Sequence, residues 1–523
     1  MKHFILVVCM LITIGVNAQQ KTYRKQVQQA SNLVATENYS EAMAIYEGLL
    51  SAYPDDIYLE LKAGECFLFA EAKIPLAIKL LESAAGYYLS IDSTDEQSLI
   101  ASYYLAQCYH LGESFNKSID EYKSLLSRIS EKELEAISKI NRGISYCNNA
   151  IELTKDTLYF KITNMGSNIN TALDEHSPVI SYDENLLLFT SRKSDSLGIN
   201  DDERIYSTVW RDRKWKKPEP IYLNDKSNTA TVSLASDGKT LVLYRSNGGV
   251  GDLYYSNYKN RKWQEPIKFP APINSLYAET HAAFSFNGDT IYYTSDRPGG
   301  FGGMDIYMSI KLPDGSWGKA INLGPRINTA YDESSPFIDD TNHTLYFSSE
   351  GHNSMGGYDI FKAHSDDDNK WVSVENIGYP INTPYDDLFY CPTADEHRVY
   401  YASKRKEGFG GSDIYLIEYP DKHTNSLTTV GGFIYTDKKK PAEQANIILV
   451  DNSDEEKEEP YRVNPNTGKY VLILPANKEY TMYVECDGFK PVEKQVIVPG
   501  GKAFKSKGFT FYLDPIVLEP IGK

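Results

Sequence analysis

This 523-residue chain is poor in cysteine, has one long apolar run, at its start, and carries no cluster of positive charge. Of its six cysteines, Cys9 sits in that run; Cys66, Cys108, Cys147, Cys391 and Cys486 are left, an odd number without Cys-x-x-Cys spacing. That rules out an obvious zinc site and disulfide framework and predicts buried free thiols. No later stretch is apolar for long enough to span a membrane as a helix. With 54 Lys and Arg against 71 Asp and Glu, the net charge of −17 lacks the basic footprint of a nucleic-acid-binding protein. Gly-x-Ser-x-Gly and His-Glu-x-x-His are both missing and the nine histidines are scattered, so no enzyme, cofactor or metal site is expected. A glycosidase-type carboxylate pair is the enzymatic alternative.

What is present begins with Lys2, the apolar run Phe4 to Val16 and the small Ala18. They read as a secretory signal over residues 1–18, cut before Gln19, which predicts export. Val8 before Cys9 argues against a lipoprotein.

Further on, one phrase recurs: Gly251-Asp252-Leu253-Tyr254, Gly303-Met304-Asp305-Ile306-Tyr307, Gly357-Tyr358-Asp359-Ile360-Phe361 and Gly411-Ser412-Asp413-Ile414-Tyr415. The aspartates stand 53, 54 and 54 residues apart, a period that marks one supersecondary unit copied along the chain. Each unit opens on an Asn-Thr or Asn-Ser turn (Asn170, Asn274, Asn328, Asn382) and continues into a hairpin such as Ser285 to Tyr293. It closes on a Trp-headed strand at Trp215, Trp263, Trp317 or Trp371. Four antiparallel strands per unit make a propeller blade.

Units begin near Pro178, Val232, Ala282, Pro336 and Leu388, and the last has no Trp-headed strand. Asn164-Met165-Gly166 matches Asn322-Leu323-Gly324 and Asn376-Ile377-Gly378, so a strand over about Leu158 to Thr163 is expected to complete the last blade. The reading is a propeller over 156–420, of five blades rather than six, closed by its own N-terminal strand. The first blade departs from the pattern, with Arg204 at the aspartate's place.

Asp174, Glu175, Glu279, Asp332, Glu333, Asp386 and Asp387 fall in the turns entering the blades, beside the glycine-rich loops. They are the candidate binding face, an incomplete carboxylate ring for a cation or a basic segment. The alternative is that they pair with Arg192, Arg245, Arg297 and Arg405 or accept backbone N–H groups. Asp252, Asp305, Asp359 and Asp413 are expected to fasten the blades, and Trp215, Trp263, Trp317 and Trp371 to pack between them. His176 and His281, near the acidic turns, read as hydrogen-bonded side chains.

Residues 19–155 follow helical spacing. Leu33, Ala42, Tyr46, Leu49 and Pro54 are echoed by Leu68, Ala77, Leu81, Ala84 and Leu89, and again by Tyr109, Ser118, Tyr122 and Leu125. A capping helix over Glu133 to Leu153 follows. The array offers a groove for a partner protein, or serves as a spacer or oligomerisation element. Residues 428–515 read as a small β-sandwich containing the acidic excursion Asp451 to Glu459, with 516–523 as a tail.

The helical segment resembles a tetratricopeptide array. The repeats resemble the TolB-type, WD-like propeller modules of Bacteroidetes envelope proteins, and residues 428–515 resemble the carboxypeptidase-regulatory, transthyretin-like sandwich. In that order they resemble the envelope proteins that include the PorE-like component of type IX secretion. Relatives of that kind continue into an OmpA-like peptidoglycan-binding domain. Here Phe511 to Ile516 resembles the linker into it and the chain stops at Lys523, so a short relative or a truncated frame is expected, without residues for peptidoglycan. The resemblance implies a periplasmic, outer-membrane-associated scaffold whose helices and propeller bind envelope proteins, of secretion or gliding machinery among others. The competing expectation is a glycan- or cation-binding module of envelope or nutrient-uptake machinery.

Overall fold

The computed structural model describes residues 20–155, 160–194, 201–223, 228–236, 238–246, 250–286, 288–339, 343–366, 369–393, 397–419, 427–437, 440–452, 461–464, 467–475, 477–498 and 510–521. The signal segment, Leu158 and most of the acidic excursion (453–459) lie outside them. The chain divides into two compact units, Met1–Asp156 and Thr157–Lys523. No described helix is long and apolar enough to cross a membrane.

The first unit is a run of helices: α1 (20–35), α2 (Tyr39–Ala52), α3 (Ile57–Phe69), α4 (Ile74–Ile91), α5 (Glu96–Leu111), α6 (Phe115–Leu126) and α7 (Leu134–Leu153). From α2 on, each packs against the next. Asp56 and Asp95 cap α3 and α5 by accepting the N–H groups of Leu59 and Gln97, each at 3.0 Å. The small residues of the repeat, Ala42, Ala77 and Ala84, are wholly buried, which lets the helix axes approach. Ser118 stands where the pattern calls for alanine; its hydroxyl is satisfied by Ala106 O at 2.7 Å, so it fits a dry contact.

The second unit starts with five antiparallel sheets. Their innermost strands, Glu175–Ile180, Asn228–Leu234, Glu279–Phe284, Glu333–Ile338 and Asp387–Pro392, pack side by side, the fifth against the first, and so close a ring. Lys161–Asn164 pairs with Asp413–Glu418 as the outer strand of the fifth sheet. A sheet completed from both ends of the propeller leaves no seam to open. Apolar side chains of adjoining blades fill the wedges between sheets: Tyr292 and Ile306 of the third meet Leu345, Phe347 and Phe361 of the fourth.

The Trp positions differ from expectation. Only Trp371 heads a full outer strand, Trp371–Asn376; Trp215 and Trp263 end two-residue strands, and Trp317 makes an isolated bridge with Lys311. Each nevertheless joins a core between blades, as where Trp215 meets Tyr400 edge-on at 6.4 Å. Packing places the indole without needing the backbone ladder around it.

The C-terminal module has two sheets, one built on Leu427–Asp437 and one on Asn446–Asp451 and Glu479–Glu485. Val430, Leu449, Leu472 and Met482 fill the space between. Its boundary at 515 is corrected: Ile516–Val517 pairs in parallel with Ile434 and Tyr435, Leu518 is buried, and Pro520 bridges Phe489. The apolar Ile516 and Leu518 belong to the core, so this segment is not a tail. Cys66, Cys108, Cys147 and Cys391 are free and buried, and Cys486 is free and half-buried.

Candidate functional site

The glycine-rich loops and acidic turns meet at the junctions between blades. At the junction of the fourth and fifth blades, Tyr358 N–H donates to Asp386 Oδ1 at 2.9 Å while Asp387 N–H donates to Tyr358 O at 2.7 Å. The same reciprocal pair joins Met304 to Asp332 and Glu333, and Ser412 to Asp174 and Glu175. This two-armed clamp explains the glycine pair: a Cβ on Gly357 would lie 1.9 Å from Asp386 Oδ1, and one on Gly356 2.5 Å from the Pro384 backbone.

The expected carboxylate ring therefore splits into two sets. Glu175, Glu279, Glu333 and Asp387 are wholly buried and bind back to their own turns. Glu333 takes Thr329 N–H at 3.0 Å and the hydroxyls of Thr329 and Ser349 at 2.7 and 2.8 Å. Glu279 takes the matching donors of Ser275 and Ser295 together with Arg297 Nη2 at 2.9 Å. Glu175 and Asp387 repeat the arrangement with Thr171 and Thr383. Asp174, Asp332 and Asp386 are the clamp acceptors, and Asp174 also faces Arg192 at 3.5 Å. As a group, the seven do not converge on an open cation site; among the described residues no cluster of three or more His, Cys, Asp or Glu could hold a metal.

Asp305 accepts the N–H groups of Phe301 and Gly302 at 2.7 and 3.0 Å and the amide of Asn322 at 2.7 Å. Asp359 and Asp413 do the same with Met355 and Asn376, and with Phe409 and Asn164. Asp252, in the second blade, is held by Lys268 at 2.7 Å. Behind the aspartates stand asparagines that the sequence reading took only as turn markers. Asn328 accepts from Ile306 N–H at 2.7 Å, donates to Ile306 O at 3.0 Å and donates to Asn322 at 2.9 Å. Its side chain thus stands in for a strand partner, a role repeated by Asn170, Asn274 and Asn382. Their fixed offset from the repeated aspartate was the signal that could have found them.

Burial raises Glu175, pushes Glu333 and Asp387 up to about 7, and raises Asp359 and Asp413. The neighbouring blade adds to this, because Asp305 repels Glu333 and Asp413 repels Glu175.

Every innermost strand carries a register shift where it lines the axis. Ser177, Ser335 and Phe389 take positive φ there, at 50°, 49° and 60°, strain that bulges at a channel impose. Phe389 reaches His176, stacked at 5.7 Å, and His281 at 5.3 Å. His176 Nε2 lies 3.5 Å from Glu203 Oε1, and its Nδ1 lies 2.8 Å from Ser177 Oγ. His281 Nδ1 meets the hydroxyls of Thr280 and Ser334 at 3.0 and 3.1 Å. Burial, with His176 beside it, lowers His281 to about 4, so that ring stays neutral; the hydrogen bond from His176 leads the causes that lower Glu203. The space along the axis, lined by residues such as Val179, Ala283 and Tyr390, amounts to about 80 Å³.

No protein-family model matches this chain, and no curated protein matches it. Among solved structures it is similar to a TolB-type protein of Agrobacterium tumefaciens, with 14% identity over 60% of this chain and 97% of that one and a TM-score of 0.31. It is also similar to TolB of Acinetobacter baumannii, at 15% identity, 48% and 55% coverage and a TM-score of 0.32. A third likeness is to a gluconolactonase of Xanthomonas campestris, at 11% identity, 50% and 90% coverage and a TM-score of 0.28. At these values the function must be argued from the chain itself.

On the side of the axis where the inner strands end, the C-terminal module touches the propeller. Asp183 accepts from Lys469 and from Tyr512 Oη, the latter at 3.1 Å, and Phe286 meets Tyr461 at 6.3 Å. Burial pushes the Asp183 carboxyl up, but Lys469, with hydrogen bonds from Ser181 and Asn185 N–H, holds it down at about 2.

Proposed function

We propose that this protein is a non-catalytic scaffold of the cell envelope, exported to the periplasm and associated with the outer membrane, which holds protein partners through its helices and its propeller. The observation that carries this reading is the size of the axial space. Small-molecule sites enclose roughly 300–1,000 Å³, whereas this propeller has about 80 Å³ along its axis. The carboxylates that could serve a cation or a glycosidic bond are committed to the turns and clamps between blades. What is left for recognition on the propeller is its outer surface, which is how repeat arrays and propellers engage proteins. The helices, read as a tetratricopeptide array, and the C-terminal module, read as a transthyretin-like sandwich, supply further surfaces.

The resemblance to Bacteroidetes envelope proteins makes type IX secretion or gliding machinery the first assembly to test. Crosslinking the full chain in living cells, followed by purification, is expected to recover a reproducible set of envelope proteins. Recovery of none, with saturable calcium or glycan binding by the purified chain, would replace the scaffold with a ligand-binding module.

A further inference from the structure

The first unit has a cleft of about 750 Å³ lined by Tyr53, Pro54, Asp55, Asp56, Ile57, Tyr58, Tyr87, Tyr88 and Ile91. It lies where the turn from α2 into α3 meets the C-terminal end of α4. Tyr58, Tyr87 and Ile91 are 42, 48 and 66% exposed, so three of the large apolar side chains that the unit leaves bare gather at one cleft. Tyr53 and Tyr87 are braced by other rings: Tyr23 meets Tyr53 edge-on at 5.0 Å and Tyr87 meets Tyr88 at 5.5 Å, while Tyr23 Oη donates to Asp56 Oδ2 at 2.6 Å. Asp56 is also the cap of α3, so its carboxylate is fixed at the cleft floor.

The charge is one-sided. Two of the nine lining residues are aspartates and none is basic. Asp92, Asp95 and Glu96 follow Ile91 on the adjoining turn, and Asp56 and Asp95 both act on Tyr88 to raise its phenol, after burial. Asp56, Asp92 and Asp95 are bonded within their own turns and caps, so the exposed faces of Tyr58 and Tyr87 beside the Asp55 carboxylate are what suit a cation with an apolar stem, since ring quadrupole and carboxylate attract the same charge. Arginine meets this description best, because its planar group stacks on a ring while bonding a carboxylate in its plane.

We propose that this cleft docks an extended, arginine-bearing segment of a partner protein, the guanidinium between Tyr58 and Tyr87 and an apolar neighbour covering Ile91. This rests on the scaffold reading above and names the chemistry of one of its partners. Tyr87, braced by Tyr88, loses little freedom on binding.

The test is fluorescence anisotropy of the full chain with a labelled peptide of Gly-Phe-Arg repeats, against the same peptide with glutamate for arginine. Saturable binding of the arginine peptide alone is expected. The double variant Y58A/Y87A, which leaves net charge unchanged, should weaken it about 10-fold, the size of two exposed cation–π contacts. D55N should weaken it about 3-fold. Lys79→Ala, outside the cleft, serves as the control that leaves affinity unchanged. Equal binding of both peptides, no binding, or full affinity in Y58A/Y87A overturns the proposal. Crosslinking with wild type and Y58A/Y87A separates the two readings: partners recovered equally by both reject the cleft and keep the scaffold, whereas none from wild type rejects the scaffold and leaves the cleft to the titration.

Discussion

The junctions on either side of the fourth blade and the junction that closes the ring are built differently from those flanking the second. The former three have both clamp arms, a side-chain acceptor (Asp332, Asp386 or Asp174) and a backbone exchange. Between the second and third blades, among the described residues, only the backbone arm is formed, Glu279 N–H to Gly251 O at 3.0 Å, and Ala278 stands where the aspartate would be. Between the first and second, Arg204 replaces the repeated aspartate, and Glu203 N–H reaches Asn228 Oδ1 at a long 3.4 Å. Beside these junctions the Glu203 side chain meets His176, and His281 lies within electrostatic range of both. Regular junctions close the ring, and the irregular ones supply the polar mouth of the axis.

The largest break in that contrast should come from Gly356→Ala, whose new Cβ would lie 2.5 Å from backbone that cannot withdraw without opening the clamp. A loss of about 3 kcal/mol is expected in denaturant titration. Gly251→Ala, at the half-clamped junction, meets first the Tyr244 side chain, at 2.1 Å, which is freer to shift than backbone; about 1 kcal/mol is expected. Equal losses would mean that the junctions are mechanically alike. Next comes Asn328→Ala, which strands Ile306 N–H in a buried site, while Ile306 O keeps the Leu323 N–H, and should cost about 2 kcal/mol.

A smaller effect tests the side-chain arm alone. Asp332→Ala should cost about 1 kcal/mol, and Ala278→Asp, which supplies the missing acceptor, should recover about 0.5 kcal/mol. A stabilised Asp332→Ala would show that the arm is a burden on the fold.

A separate test, which reads a slope rather than a single stability value, is one of pH. Glu333 titrates near 7 in the fold against an ordinary 4.5, so between these values the unfolded chain has released a proton that the fold retains. Its contribution to stability therefore falls as pH rises from 4.5 to 7 and is level outside that window. Glu333→Gln should flatten this part of the stability–pH curve. An unchanged slope would place the titrating group elsewhere, with Asp387, also near 7, the next to replace.

Much of the architecture was legible because the repeat prints it. The 54-residue spacing of Asp305, Asp359 and Asp413 marks the blades, and Asn164-Met165-Gly166 identifies the strand that joins Tyr415, observed as Lys161–Asn164. The tyrosine cleft was hidden because Tyr23, Tyr53, Tyr58 and Tyr88 come from different helices and turns and obey no common period. The acidic face was misjudged for a related reason. Adjacent carboxylates such as Asp386 and Asp387 look alike in sequence, yet one is exposed and accepts from the neighbouring blade while the other is buried in its own turn.

By itself the sequence favoured five blades over six and picked out the strand that closes the ring and the residues that recur from blade to blade. These are properties of local pattern, set by period-two alternation, turn chemistry and copying. Only the tertiary structure decided what each recurring residue does. Whether a carboxylate meets solvent, a clamp N–H or a second carboxylate depends on groups brought in from the next blade, some 28 residues away at Met304 and Asp332 and 238 at Ser412 and Asp174. Burial and through-space charge act on distance in space, which a linear pattern does not carry.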